Sequence, residues 1–107
     1  MQVLKIQKWI NTHIKEPFNV NELPNISGMS QRTFERRFKN ATGDSPIHYI
    51  QRLRVGGAKQ QLETTNQSVE EIYYKLGYLN SGSFRKIFVK WVHLLPSEYR
   101  DGLRLMS

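Results

Sequence analysis

Cysteine is absent from the 107 residues, which removes disulfide bridges and thiolate metal sites, zinc fingers among them. The absence agrees with a reducing cytoplasm, where the chain is expected to work. Long apolar runs are missing too. The longest, such as Val92 to Leu95, are far too short to cross a bilayer, and no basic start leads into the apolar segment of a secretory signal, so no membrane partner is expected. Acidic residues are scarce: 9 Asp and Glu stand against 16 Lys and Arg, for a net charge of +7. In so small a domain that balance favours a polyanionic partner, nucleic acid ahead of a membrane surface. His13, His48 and His93 are far apart, and none sits in a metal-ligand or nucleophile motif, so neither an enzyme nor a cofactor is expected. Trp9, Tyr49, Tyr73, Tyr74, Phe84 and Trp91 recur at helical spacing, the pattern of a core more than of a base-stacking platform.

What is present is a succession of helix signals around one long rod. From Ser45 to Leu62 the chain reads as a helix with Ser45 as N-cap and Pro46 at the first position, where a missing N–H costs nothing. Its apolar side chains fall on two arcs, Tyr49, Ile50 and Leu53 on one and Ile47, Val55, Ala58 and Leu62 on the other. Two arcs imply a different small bundle at each end, with Arg52, Gly56 and Lys59 toward solvent. Ahead of the rod, Val3 to Ile14 has the spacing of a packing helix, ended by Glu16-Pro17. A second helix is expected from Asn19, with Glu22 completing a capping box and Pro24 at the fifth position, tightening the helix at its end. Gly28 marks a turn, Ser30 caps a third helix carrying Phe34 and Phe38, and Gly43 stops it.

After the rod the same grammar recurs. Ile72 answers Leu23 and Gly77 answers Gly28 at an offset of 49 residues; Phe84, Phe88, Pro96 and Tyr99 answer Phe34, Phe38, Pro46 and Tyr49 at an offset of 50. Ser68 to Glu71 is a second capping box. Each unit is helix, glycine-bearing turn, helix, the order of a helix-turn-helix whose second helix enters a major groove. Residues 1–44 and 64–107 are therefore read as two helix-turn-helix subdomains joined by the linker helix 45–63.

Three stretches carry a more specific likeness: S-x-R-x-F-x-R-x-F in its form Ser30 to Phe38, the segment Gly43 to Arg54 with Pro46, Tyr49, Ile50, Arg52, Leu53 and Arg54, and the closing Pro96-Ser97-Glu98-Tyr99-Arg100. With them the chain resembles, over nearly its whole length, the DNA-binding domain of the AraC/XylS family of bacterial transcription regulators. The resemblance implies an all-α module of about seven helices that sets two recognition helices in successive major grooves of double-stranded DNA and acts with RNA polymerase. Many members join this module to an effector-sensing or dimerisation domain; no stretch here reads as one, so any such domain would lie outside this chain. Four features depart from the family pattern. Pro24 and Tyr73 stand where a small residue is usual, His93 stands at the counterpart of Gly43, and Gly56-Gly57 interrupts the rod, as a hinge or as a place of close packing. An alternative function follows from them: a duplicated helical module that has lost DNA-competent geometry and binds a protein partner.

With Phe34 and Phe38 turned inward, the first recognition helix offers Gln31, Arg32, Glu35 and Arg36 to a groove. Arginine forks onto guanine O6 and N7, glutamine pairs with adenine, and glutamate accepts from cytosine N4. Glu35 has a competing role as surface partner of Lys39 at i+4. The second recognition helix, from about Asn80 to Lys90, offers Ser81, Gly82, Arg85 and Lys86. It is the poorer reader, because Gly82 has no side chain to touch a base. Arg37, Lys39 and Lys90 are candidates for phosphate contacts, Arg37 alternatively for an acidic partner at the core rim.

Overall fold

The computed structural model describes residues 3–16, 18–78 and 80–106. Among them run seven α-helices and no strand: α1 (Val3–His13), α2 (Leu23–Ser27), α3 (Gln31–Thr42), α4 (Pro46–Thr64), α5 (Val69–Lys75), α6 (Ser81–Val92) and α7 (Pro96–Met106). Short polar side chains set four of the starts. The Oγ atoms of Ser30, Ser45 and Ser68 accept the N–H of the residue three further on, and Asn80 Oδ1 does the same for Ser83. Each satisfies a donor that the first turn leaves without a partner. At Ser68 the hydroxyl also donates to the Glu71 carboxylate, 3.2 Å away.

The second helix differs from the sequence expectation. Asn19 starts a 3-10 turn, Val20–Glu22, its side chain accepting from the Asn21 N–H at 2.9 Å, and α2 begins only at Leu23. Pro24 thus lies in the first turn of α2, where no intrahelical partner waits for an N–H, and it strains nothing at the helix end. Pro17, expected to end α1, lies outside the described residues.

Two separate cores confirm the two arcs of the rod. Ile6 and Ile10 of α1, Leu23, Phe34, Phe38 and Ile50 form the first; Val55, Ala58, Leu62, Ile72, Leu76, Tyr78, Phe84 and Phe88 form the second. The duplication extends to ring geometry. Phe34 and Phe38 lie 5.6 Å apart at 47°, Phe84 and Phe88 5.7 Å apart at 48°, and Tyr49 and Tyr99 each meet the second phenylalanine edge-on. Ile47 alone leaves its arc: it is 49 % exposed, at the start of α4.

The helix α4 serves both units. Its first half closes the unit of α1 to α3, and its second half holds α5, α6 and α7, the part α1 plays in the first unit. Hydrogen bonds repeat the substitution of roles: Gln7 of α1 donates to Tyr49 Oη, whereas Tyr99 Oη donates to Glu63 of α4. Arg100 of α7 donates to the carbonyls of Leu62, Thr65 and Gln67 and so satisfies the C-terminal end of α4.

Inside α4 the glycine pair divides. A Cβ on Gly56 would meet nothing within 4 Å, while one on Gly57 would come within 3.1 Å of Leu76 Cδ2. Close packing therefore accounts for Gly57 and leaves Gly56 as a plain loss of helix propensity. Gly56→Ala is expected to raise stability by about 1 kcal/mol in urea unfolding. Gly57→Ala should gain less or lose, because Leu76 must move; equal gains at both positions would contradict the packing.

Candidate nucleic-acid interface

On α3 the burial of Phe34 and Phe38 turns the opposite face outward, and Gln31, Arg32, Glu35, Arg36, Arg37 and Lys39 are all exposed. Five of them, Gln31, Arg32, Glu35, Arg36 and Lys39, line one open groove of about 700 Å³. Its walls are the Asn19 to Asn21 turn and Pro24 on one side and Ser45, Pro46 and Ile47 on the other. Lys39, expected as a phosphate contact, thus shares the groove with the four expected readers. Arg37 is not among its lining residues.

The carboxylate of Glu35 has a defined partner, and it is not Lys39. Gln31 Nε2 donates to Glu35 Oε1 at 3.2 Å. Among the described residues the one ion pair joins Arg52 to Asp44, so the cations of α3 are unpaired there. Arg37 accordingly has no acidic partner at the core rim among the described residues. The exposed face of α3 thus carries free guanidinium and ammonium groups around a single held carboxylate.

The second unit has a smaller version of the groove. Arg85 lines a recess of about 330 Å³ with Val69 and Glu70 from α5 and Leu95, Pro96 and Ser97 at the start of α7. Val69, Arg85 and Pro96 occupy the places of Val20, Glu35 and Pro46, so a guanidinium stands where the first unit has a carboxylate. Gly82 and Lys86 are exposed and Ser81 is partly so, on the same helix but outside that recess. Lys90 lies near the end of α6 with Nζ 5.8 Å from the Trp91 ring, and Trp91 in turn donates from Nε1 to Gln51 of α4. The Trp91–Gln51 hydrogen bond ties α6 to the rod.

The helix-turn-helix domain family matches residues 23–102, three quarters of the chain. The regulatory protein SoxS of Salmonella typhimurium is 31% identical over 96 residues, which make up 90% of this chain and 90% of that protein. The chain belongs to the AraC/XylS family. The transcriptional activator RhaS of an Enterobacter strain is 31% identical over 98 residues, and there this chain spans only 35% of the relative's length. Among solved structures, the DNA-binding domain of the global transcriptional factor AdpA, in complex with a target DNA, superposes with a TM-score of 0.89 at 32% identity, over 96% of this chain and 93% of that one.

The departures from the AraC/XylS pattern are absorbed locally. Tyr73 does not turn outward: it is half-buried at the edge of the second core, its ring stacked on Phe84 at 6.0 Å and 26°. The tyrosine that points to solvent is Tyr74, 77 % exposed. His93 takes the left-handed conformation that ends α6, at φ 65°, and its N–H reaches Val89 O at 2.8 Å, as Gly43 at φ 82° reaches Lys39 O. A side chain in that region costs about 1 kcal/mol, which the surrounding fold carries. No group of His, Cys, Asp and Glu among the described residues could hold a metal ion. His13 Nδ1 lies 2.8 Å from the Trp9 carbonyl, and the exposed His48 meets Trp91 edge-on.

Proposed function

We propose that the chain is the sequence-specific, double-stranded DNA-binding module of a bacterial transcription regulator, with α3 and α6 entering successive major grooves. The observation that carries this is the likeness to the AdpA domain solved on its target DNA, at a similarity that spans both helix-turn-helix units. Dimensions support it. The molecule is 47 Å long and 23 by 21 Å across, enough to span the roughly 34 Å between equivalent groove positions. In this reading Gln31, Arg32, Glu35 and Arg36 are the main base readers, and Arg85 and Lys86, with Ser81 and Gly82 beside them, supply the second contact. Arg37, Lys39 and Lys90 neutralise phosphates. Activity in the cytoplasm together with RNA polymerase belongs to the same proposal, as does control by an effector-sensing or dimerisation domain where one accompanies this module.

The rival reading, a protein-interaction module, drew on Pro24, Tyr73, Gly56-Gly57 and His93. Pro24, Tyr73 and His93 sit in intact helix-turn-helix units and Gly56-Gly57 in an unbroken α4, so the motive for it is gone. Fluorescence anisotropy with random-sequence duplex between 50 and 200 mM salt tests the proposal. Affinity should fall steeply, by a log-log slope of several units for about six phosphate contacts. No binding at the lowest salt would overturn it.

A further inference from the structure

The two units touch away from both recognition helices, at a place filled by a single arginine. Arg54, in the middle of α4, sends Nε to the carbonyl of Ile14 at 3.2 Å and Nη2 to the carbonyl of Glu16 at 3.0 Å. Both carbonyls lie just past the end of α1, in the first unit. Its guanidinium lies between two aromatic rings, 5.1 Å from the Phe18 centroid and 5.4 Å from that of Tyr78. Phe18 belongs to the first core and Tyr78 to the second.

The turn of the second helix-turn-helix rests on the same spot. A Cβ on Gly77 would stand 2.8 Å from Glu16 O and 3.1 Å from Arg54 Nη2, so backbone meets backbone there with no room for a side chain. Gly77 also has φ +85°, which a side chain adopts only with strain. Burial lowers the pKa of Arg54 from its ordinary value, and Tyr78 opposes that shift, yet a guanidinium remains cationic. Its flat fork suits the role: two donors leave in fixed directions while the cation lies over two rings. A lysine could supply one donor and no such plane.

We propose that Arg54 is a positioning residue that locks the turn between α5 and α6 onto the segment after α1, and thereby fixes the spacing of base pairs that α3 and α6 read together. The proposal rests on the DNA-binding function above. With the units clamped, a site whose two halves are one base pair too close or too far is met by a bent duplex or by one unit only, since the protein has no freedom to follow it.

The test uses the full chain, a site selected from a random duplex pool, and versions of that site with one base pair inserted or removed between the two half-sites. The parent protein should lose about tenfold or more in affinity on each altered site. Arg54→Met keeps an unbranched stem between the rings and removes both hydrogen bonds. It should bind the original site more weakly yet lose about threefold or less on altered spacing. A merely structural loss would weaken all three sites alike and leave the spacing preference intact, and that result would overturn the proposal. If Arg54→Met melts below the assay temperature, Arg54→Lys is measured in its place, and its preference for spacing must likewise flatten. A parent protein that binds no duplex at low salt would sink the DNA-binding function itself, an outcome distinct from a variant with unchanged spacing preference.

Discussion

Phe88→Ala is expected to remove about 3–5 kcal/mol of folding stability, a large part of the roughly 5–15 kcal/mol that holds a domain of this size. The side chain is fully buried and lies between Phe84 at 5.7 Å and Tyr99 at 5.9 Å, so truncation opens a cavity lined by two aromatic rings. Those rings come from α6 and α7, which limits how far the cavity can collapse. Tyr73→Ala, on the half-buried ring stacked over Phe84, should cost less than half as much in the same urea titration. A loss under about 1 kcal/mol at Phe88 would mean that the second core is loosely packed, contrary to its geometry.

The second large effect separates reading from anchoring. Arg36→Ala should weaken binding to a selected site by about 1–3 kcal/mol and relax preference at one or two adjacent base pairs, with little change on random duplex. Arg36 shares its groove with Arg32 and with a Glu35 carboxylate already held by Gln31, a setting in which donors and an acceptor are placed before any base arrives. At the equivalent places in α6 stand Lys86, Gly82 and Arg85, with less side chain to offer. Lys86→Ala should therefore weaken all sequences alike and lower the salt slope by about one unit. Binding-site selection with both variants checks this, and a Lys86→Ala protein that relaxes one base position while Arg36→Ala weakens every sequence equally would reverse the two roles.

Much of the fold was legible because its signals are local. Ser30, Ser45 and Ser68 announce helix starts within three residues, Gly28, Gly43 and Gly77 announce left-handed turns, and phenylalanines four apart announce the inward faces. The exposed face of α3 followed from the same periodicity. Misreadings arose where two local rules compete or where partners are remote. Asn19 and Glu22 look like a capping box, but Pro24 moves the α-helix start to Leu23 and leaves a 3-10 turn before it. Ile47 has the right angle for the second core, yet it stands too near the start of α4 to reach it, and it borders the groove of the first unit instead. Arg54 was visible only as one letter of a family motif. Its partners Ile14, Glu16, Phe18 and Tyr78 lie more than a dozen residues away on either side, and no spacing rule connects them.

The double use of α4 gives the chain the economy of a solenoid. In a stacked repeat array, each unit is completed by its neighbour, and stability is a sum of intrinsic terms and nearest-neighbour interfaces. Here the interface is a shared helix, so the neighbouring term cannot be separated from either unit: removing α4 takes Ile50 from one core and Val55, Ala58 and Leu62 from the other. Two hydrophobic centres are thereby bound into one cooperative folding unit.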